Sequence, residues 1–533
     1  MDAREILKFC LEKGFLLDKD VLNIFSEMED TNTAKIMIEK IGQYTQKRVI
    51  TKNLFNENKE AVNNIFLALP EESQRRIESL KIKLGLSIQI SKQISTTKTG
   101  SSENIKEENP CSANSIKILH SFPITNKKIE VSDFVKHFRN RFITMKNILQ
   151  EHSELNNLVS INKIPNNRQG VSVIGIVSEK KTTKNNNLIF ELEDLTGKVT
   201  ILINQNKPEL YQKAQEIALD SIIAVKGSGS REIIFVNDII FPEATLFDRK
   251  KSPVEEYALF TGDLHIGGNN FLEENFLKFV DYLNGKVPNT PETDKIKYLF
   301  LVGDLISGVG IYPNQEKDLK HQDIEEQFEK SAELLSKIRR DIQIIISPGN
   351  HDAIRIMEPQ PLLDEKFAWP LYNMKNVILT QNPAMVNIGA KKEFGGFDVL
   401  TYHGYSYHYY ANNIEYLMKE QAIHIPEKIM AYLLKNRHLA PTHSSTLYYP
   451  YEDDPLLIKK IPDIFVSGHT HKSGVSYYNN ILTISSSTWE SLTPFQEKMG
   501  NKPDFCKVPM FNLKTRGVKI LDFEQNENTE KEK

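Results

Sequence analysis

The 533-residue chain contains 40% hydrophobic and 26% charged residues, a balance that predicts a globular protein of two to four domains. Its 67 basic and 70 acidic residues give a formal net charge of −3, which excludes a uniformly basic nucleic-acid-binding surface. The three widely spaced cysteines argue against a disulfide framework or a cysteine zinc module. Because no membrane-length apolar run or signal-peptide pattern occurs, we expect a cytoplasmic protein without a membrane partner.

Residues 1–90 have the pattern of a small helical interaction module. Ile6 and Cys10 belong to an apolar stripe with helical spacing, and Gly14 is a plausible helix stop. A second helix is expected from Val21, and a third at Ala61–Leu69. Residues 91–115 are rich in Ser, Thr, Lys and Glu, which predicts a flexible linker. A DNA-binding role for the module and a docking role for the linker remain alternatives.

Residues 116–250 combine a leading helix with strand signals. The helix is expected to start at Ser132 or Asp133, and its basic residues, Arg141 among them, are expected on a solvated face. Five short strands follow, with a helix near Tyr211 between the third and fourth, which is the pattern of an OB-fold β-barrel. Phe190 and Phe235 could both be core, so a structural or interface barrel is favoured over one that binds single strands.

Residues 255–523 alternate apolar strands with amphipathic helices. This pattern predicts a sheet buried on both faces, with functional loops at the carboxyl ends of its strands. Strands near Ile481 and Val518 should close the domain without contributing site residues. Residues 524–533 are charged and are predicted to be a disordered tail.

Five polar motifs occur where strands of this domain are expected to end. They are Gly262-Asp263-Leu264-His265, Gly303-Asp304, Gly349-Asn350-His351-Asp352, His403-Gly404 and Gly468-His469-Thr470-His471. Carboxylates, imidazoles and one amide at strand ends suit two divalent metals that share a hydroxide and clamp a phosphate. The mixed nitrogen and oxygen ligands favour manganese, iron or zinc over calcium.

Each motif residue has an expected place in this centre. Asp263 and His265 can face one metal, and both carboxylate oxygens of Asp304 can be shared between metals. Asn350 offers an amide oxygen, while its neighbour His351 could point to the substrate. The remaining imidazoles come from His403, His469 and His471. The glycines before four of these residues are expected to let the backbone turn sharply. Histidines outside the five motifs are expected to be structural, among them His120, His137 and His438. His408 and His443 are borderline cases.

The five motifs resemble those of the calcineurin-like metallophosphoesterase superfamily, D-x-H, G-D, G-N-H-D/E, H and G-H-x-H. Many members continue the second motif as Gly-Asp-x-x-Asp, whereas this chain has Ser307 at the last position, which is not a necessary ligand. With the preceding module, linker and barrel, the chain resembles the small subunits of archaeal family D DNA polymerases. Local similarity extends to Phe260–Gly267, Pro359-Gln360-Pro361 and Tyr402–Ser406.

This resemblance implies a multidomain α/β architecture: a helical module, an OB-fold barrel and a calcineurin-like β-sandwich flanked by helices. It implies a metal-dependent 3′–5′ exodeoxyribonuclease that proofreads DNA 3′ ends for a large polymerising subunit, with manganese the expected metal and iron, zinc or magnesium possible. Contact with a sliding clamp remains open. A stand-alone phosphatase or phosphodiesterase and a non-catalytic scaffold are the alternatives.

The resemblance also assigns roles to individual residues. One metal would be held by Asp263, His265 and His471, with Asp304 bridging, and the other by Asn350, His403 and His469. His351 would be the general acid or transition-state stabiliser, oriented by Asp352.

Overall fold

The computed structural model describes residues 3–13, 16–18, 21–22, 38, 49–50, 116–123, 128–498, 500 and 502–524. They belong to two compact units, Met1–Glu107 and Glu108–Lys533. The predicted helix at Ala61–Leu69 and the predicted linker at 91–115 lie outside the described residues, as does the tail beyond residue 524.

The first unit contains a short helix and a pair of two-residue strands. Helix α1 (Ala3–Glu12) buries Ile6 and Cys10, as the apolar stripe predicts, and ends before Gly14. Strands β1 (Leu16–Leu17) and β2 (Val49–Ile50) pair in parallel. These two short strands were not predicted from the sequence.

The second unit contains a closed five-stranded barrel. Its strand order is β4-β5-β6-β8-β7, closed by the parallel pairing of β6 with β8. Helix α3 (Pro208–Gln215) lies between the third and fourth strands in sequence, as predicted. The strands are β4 (Gln169–Thr182), β5 (Leu188–Asp194), β6 (Gly197–Ile203), β7 (Ile222–Gly229) and β8 (Ile233–Ile240).

The two aromatic residues of the barrel strands have different environments. Phe190 is fully buried in the barrel core. Phe235 is 40% exposed, and the Arg168 guanidinium lies 5.1 Å from its ring centroid. The expectation that both rings lie in the core is therefore wrong for Phe235. Successive side chains along β8 point to opposite faces, so Phe235 points outward while its neighbours Ile234 and Val236 are buried.

Helix α2 (Val131–Gln150) precedes the barrel and packs on it. Phe142, Met145 and Leu149 share a buried apolar cluster with barrel residues and with Leu457. Arg141, predicted on a solvated face, is instead only 2% exposed. Its Nε donates a 2.6 Å hydrogen bond to Asp454 Oδ2.

Asp454 is the centre of a buried ionic network. His438 Nε2 lies 2.9 Å and His137 Nε2 3.5 Å from Asp454 Oδ2. Burial acts to raise the pKa of Asp454, but Arg141 and His438 hold it well below its usual value. The carboxylate therefore stays ionised and fixes α2 to the loop that carries it.

Two six-stranded sheets form the rest of this unit. The first has the order β12-β11-β10-β9-β18-β19, in which the first four strands are parallel. Helices α4 (Glu273–Leu283), α5 (Ile324–Ser336) and α6 (Glu365–Tyr372) connect its parallel strands, and each contributes residues to the buried apolar cluster on this sheet. The strands are β9 (Tyr257–Thr261), β10 (Ile296–Val302), β11 (Gln343–Ser347), β12 (Val377–Leu379), β18 (Lys507–Asn512) and β19 (Val518–Asp522).

The second sheet has the order β16-β17-β15-β14-β13-β3. Its edge strand β3 (Lys117–His120) comes from the range assigned to the barrel domain, but pairs with β13. Helices α7 (Tyr407–Asn413), α8 (Glu415–Lys419) and α9 (Pro426–Asn436) follow β14, and α10 (Pro494–Lys498) follows β17. The other strands are β13 (Ala384–Ile388), β14 (Phe397–Tyr402), β15 (Ile464–Ser467), β16 (Gly474–Tyr478) and β17 (Ile481–Ser485).

A common apolar core joins the two sheets. Phe260 and Phe300 of the first sheet belong to the same buried cluster as Val399, Val466 and Ile484 of the second. The unit is therefore mixed α/β, as predicted. Among helices of the described residues, none has both the length and the apolar character needed to cross a bilayer.

Replacing Asp454 tests the buried network. Asp454→Asn leaves Arg141 buried without a counter-charge, which should cost about 3–5 kcal/mol of stability. Asp453→Asn is the matched control, because its side chain is 70% exposed and pairs with Lys459 at the surface. Thermal unfolding at neutral pH should show a clear fall in Tm for Asp454→Asn and almost none for Asp453→Asn. Equal shifts would contradict the role of Asp454.

Candidate metal centre

The predicted ligands come together where strands of both sheets end. Asp263 and His265 follow β9, Asp304 follows β10 and Asn350 follows β11 of the first sheet. From the second sheet, His403 follows β14, and His469 and His471 follow β15. Parallel strands deliver their carboxyl-terminal loops to one edge, so residues distant in sequence share a single site.

The first of two neighbouring clusters is formed by Asp263, His265 and His471. The Nε2 atoms of the two imidazoles lie 3.1 Å apart, and Asp263 Oδ1 is 3.6 Å from His471 Nε2. Burial lowers the pKa of His265 well below its usual value and that of His471 to about 4. Both rings therefore stay neutral, the form in which an imidazole can bind a metal.

The second cluster is formed by Asp304, His403 and His469, with Asn350 beside it. His403 Nε2 lies 3.2 Å from Asp304 Oδ2 and 2.9 Å from Asn350 Oδ1. On the other side of the ring, His403 Nδ1 faces the Val302 carbonyl oxygen at 3.4 Å. When the neutral ring donates from Nδ1 to that carbonyl, the lone pair on Nε2 faces two oxygen atoms that also carry lone pairs. A cation placed among these three atoms could bind all of them.

The protonation of this cluster shows its preference for positive charge. Burial alone would lower the pKa of His403, but the adjacent Asp304 carboxylate raises it to about 9. Burial would likewise raise the pKa of Asp304, but His403 and His351 hold it well below its usual value. A proton thus binds tightly where the donor atoms converge, so the donor set fits a divalent metal, whose binding would release that proton.

Asp304 lies between the two clusters. Its carboxylate is within 4.8 Å of ligand atoms of His265 and His351 on one side, and of His403 and His469 on the other. It is 2% exposed. This is the position that a bridging carboxylate requires.

Five of the predicted ligands have left-handed backbone conformations. Non-glycine residues adopt positive φ rarely, and such residues concentrate at functional sites. Here the tight turns aim each side chain inward at the strand ends. The φ values are 49° for Asp263, 51° for His265, 47° for Asp304, 69° for His469 and 55° for His471.

Glycines allow the loops of the site to approach closely. Gly303 has a φ of +82°, and a Cβ there would lie 2.0 Å from His403 Nδ1. A Cβ on Gly349 would lie 2.2 Å from Asp304 Oδ1. Of the four glycines that precede site residues, only Gly303 has a positive φ. At the other three, a side chain would collide with neighbouring atoms, so close packing of the loops explains these glycines better than the predicted sharp turn.

His351 is held beside Asp304 by backbone contacts. Its amide donates to Asp304 Oδ1 at 2.8 Å, and its ring Nδ1 donates to the Ser307 carbonyl oxygen at 2.9 Å. Asp352, predicted to orient this ring, instead accepts bonds from the amides of Ile306 and Gly349 at 3.0 and 2.7 Å. That prediction is wrong because the loop turns the two adjacent side chains to different neighbours, and Asp352 braces the loop itself.

A cavity of about 380 Å³ opens beside both clusters. Site histidines and Asp304 form one wall. Ile311 and Tyr312 line it from the loop after β10, and Ile423 and His424 from the loop before α9. Two lysines and two further carboxylates complete the charged lining, Lys472, Lys502, Asp318 and Glu490.

Comparisons with known proteins agree on one family. The family model for the B subunits of DNA polymerases alpha and epsilon matches residues 258–476. The DNA polymerase II small subunit of Methanothermobacter thermautotrophicus is 35% identical over 74% of this chain and 80% of its own length. That of Archaeoglobus fulgidus is 30% identical over 94% of each chain. The chain belongs to the archaeal DNA polymerase II small-subunit family.

The predicted resemblance to small subunits of family D polymerase is thereby confirmed. The DNA polymerase II small subunit of Pyrococcus furiosus is 36% identical, and the match spans 64% of that relative's length. A solved archaeal phosphodiesterase aligns with 50% of this chain at 10% identity and a TM-score of 0.25, a similarity too low to support an inference.

Several residues of this small subunit that hold the site were missed by sequence reasoning. Ser307 donates from its Oγ to the His265 carbonyl at 2.7 Å, in addition to orienting His351. Thr488 Oγ1 and the Trp489 amide both donate to the Asp263 carbonyl, at 2.9 and 3.0 Å. The one sequence signal for these residues was that Ser307 replaces the last Asp of the Gly-Asp-x-x-Asp form of the second motif. The Thr488-Trp489 pair follows β17, a strand that was expected to carry no site residues.

The two borderline histidines, His408 and His443, lie in different places. His408 lines the cavity, and its ring centroid lies 5.4 Å from that of His469. His443 instead packs against Phe138, and its Nδ1 is 2.6 Å from the Tyr448 hydroxyl. His137 and His438 belong to the Asp454 network, as expected for structural histidines.

Gly303→Ala tests the close packing of the loops. Gly310→Ala is the matched control: Gly310 has a φ of +76° but open space around its Cβ position. Both variants incur a backbone cost of about 1–2 kcal/mol, and only Gly303→Ala adds a collision with His403. Isothermal titration with Mn²⁺ should show impaired metal binding in Gly303→Ala and wild-type binding in Gly310→Ala. Identical titrations would contradict the packing argument.

Proposed function

We propose that this small subunit is a metal-dependent 3′–5′ exonuclease that edits DNA 3′ ends for a large polymerising subunit. The observation that carries the proposal is the complete set of metal-type donor atoms around the buried Asp304, in a polymerase subunit family. A subunit that served only as a scaffold would have no need of buried, strained, mutually repelling donor groups. Such groups lower the stability of the folded protein unless they bind a cation.

The donor set supports two divalent metals. Asp263, His265 and His471 would hold one, Asn350, His403 and His469 the other, and Asp304 would bridge them. Mixed imidazole and oxygen ligands suit Mn²⁺, with iron, zinc or magnesium as alternatives. When bound, such a pair supplies an activated hydroxide and neutralises the phosphate charge.

His351 is placed to serve the leaving group. Because Nδ1 is held by the Ser307 carbonyl, the free ring position is Nε2, which lies 4.0 Å from Asp304 Oδ2 and beside the cavity. A proton on Nε2 could be donated to the leaving 3′ oxygen of the scissile bond.

The cavity favours a single unpaired nucleotide as the group removed. Its volume of about 380 Å³ is that of a small-ligand pocket rather than a duplex groove. Ile311 and Tyr312 on one side and Ile423 on the other offer apolar surface for a base, and Lys472 and Lys502 offer charge for the backbone. A frayed or mismatched 3′ end could enter more easily than a paired one.

The remaining parts of the chain fit the same assignment. We assign the five-stranded barrel as an OB-fold within a domain at 116–250, and the paired sheets as a calcineurin-like phosphoesterase domain at 255–523. Both would provide surface for the large subunit, and contact with a sliding clamp is a further possibility for the assembled enzyme. The outward Phe235 with Arg168 over its ring adds a small stacking platform on the barrel.

One assay separates this proposal from its alternatives. The full chain is supplied with Mn²⁺ and offered a 3′-mismatched primer–template, a matched primer–template and a phosphomonoester. Faster release of nucleotides from the mismatched 3′ end is the expected result. Turnover of the phosphomonoester alone would favour a stand-alone phosphatase, and inactivity on all substrates, with and without the large subunit, would favour a scaffold.

Asp304→Ala tests the proposed bridge. The variant should lose nuclease activity by at least about 10³-fold, since both metals lose a shared ligand. It should still assemble with the large subunit, because Asp304 is buried within the site. Asp318→Ala is the control for metal binding: it removes a carboxylate that lines the same cavity but belongs to neither cluster. Retained nuclease activity in Asp304→Ala would refute the bridge.

A further inference from the structure

The Pro359-Gln360-Pro361 stretch lies outside every metal-ligand motif, yet Gln360 is only 2% exposed. We propose that Gln360 and Asn382 are positioning residues that set the separation of Asn350 and His403, two ligands of the second metal. The inference rests on the metal centre of the proposed function. It assigns to these two side chains a role in metal affinity.

Gln360 and Asn382 form a closely bonded pair. Their backbones exchange two hydrogen bonds, from Gln360 N to Asn382 O at 2.6 Å and from Asn382 N to Gln360 O at 3.0 Å. Their side chains add a third, from Asn382 Nδ2 to Gln360 Oε1 at 2.7 Å. The pair therefore moves as one unit.

One end of this unit holds His403. The Asn382 Oδ1 atom accepts a 2.9 Å bond from the His403 amide, which directly follows β14. Asn382 is fully buried, and both polar atoms of its side chain are occupied. Its amide cannot rotate without breaking a bond that no water could replace.

The other end holds the loop that carries Asn350. Gln360 Nε2 donates to the carbonyl of Gly349 at 3.3 Å and to that of Arg355 at 3.3 Å. Gly349 precedes Asn350, and Arg355 lies further along the same loop. The side chains thus connect the loop after β11 in the first sheet to the loop after β14 in the second.

This connection matters because the two ligands come from loops of different sheets. Asn350 Oδ1 and His403 Nε2 lie 2.9 Å apart, and the Gln360–Asn382 pair is hydrogen-bonded to the backbone of both loops. The pair therefore helps to keep the donor atoms at this distance. Outer-shell contacts of this kind typically contribute about 10–100-fold to metal affinity.

Gln360→Met tests the brace, since methionine keeps the length and apolar stem of glutamine but cannot form these hydrogen bonds. Mn²⁺ is titrated into the full chain by calorimetry, and electron paramagnetic resonance monitors the spin-coupled metal pair. The wild type should bind two Mn²⁺. In Gln360→Met, the affinity for one Mn²⁺ should fall about tenfold or more, with the other unchanged and the coupled signal lost at sub-saturating metal.

Gln381→Met is the matched control. Gln381 is also buried and also makes two side-chain bonds to a backbone, with the amide and carbonyl of Phe122 at 2.8 and 2.7 Å, but neither reaches a ligand loop. If Gln360 had only a structural role, Gln360→Met and Gln381→Met would behave alike. Both would have a lower Tm, and in each the two metal sites would be either both weakened or both intact. That result would overturn the inference.

Asn382→Asp provides a second variant if Gln360→Met folds poorly. Aspartate can still accept from the His403 amide but cannot donate to Gln360, so it breaks the connection at one bond. Selective weakening of one Mn²⁺ site would support the brace, and two unchanged sites would overturn it. A wild-type chain that binds fewer than two Mn²⁺ would overturn the metal centre itself, and this inference with it.

Discussion

The ionised Asp304 carboxylate, buried where the two sheets meet, is the constraint on which the site depends. It accepts the amide of His351 from the loop after β11 and lies 3.2 Å from His403 of the second sheet. Its own carbonyl accepts the amide of His265 from the loop after β9. One residue thus sets the positions of three loops, and its negative charge raises the pKa of His403. Burying such a charge is costly unless positive charge is supplied, and two metals would supply it.

Around this carboxylate, close backbone packing and buried hydrogen bonds hold the loops in place. The glycines at 303 and 349 bring neighbouring loops within contact distance, and Asp352 ties Ile306 to Gly349. Farther out, the Gln360–Asn382 pair connects the sheets. The same principle appears at the barrel, where Arg141 and Asp454 fix the leading helix to the loop between α9 and β15. In each case a buried polar side chain with hydrogen-bond partners cannot rotate freely, and it therefore holds a loop in one position.

Much of this arrangement could be predicted from the sequence. The alternation of apolar strands with polar motifs placed seven candidate ligands at strand ends, and the structure brings all seven side chains together. The five barrel strands and the position of α3 also followed from periodicity and turn residues. These predictions succeed because strand ends and side-chain periodicity are local properties.

The rest depends on contacts between distant residues. The partner of His351 is decided by the path of its loop, so Asp352, adjacent in sequence, was the wrong choice. Arg141 has the pattern of an exposed basic residue, and only the position of Asp454 more than 300 residues away explains its burial. The strand β3 joins the second sheet rather than the barrel for the same reason: its partner β13 is remote in sequence.

The most direct test of the two-metal site is anomalous X-ray diffraction from crystals of the chain grown with Mn²⁺. Two manganese peaks about 3.5–4 Å apart are expected. One should be bound by Asp263, His265 and His471, the other by Asn350, His403 and His469, with Asp304 between them. A single peak, peaks elsewhere, or none at saturating Mn²⁺ would contradict the two-metal site.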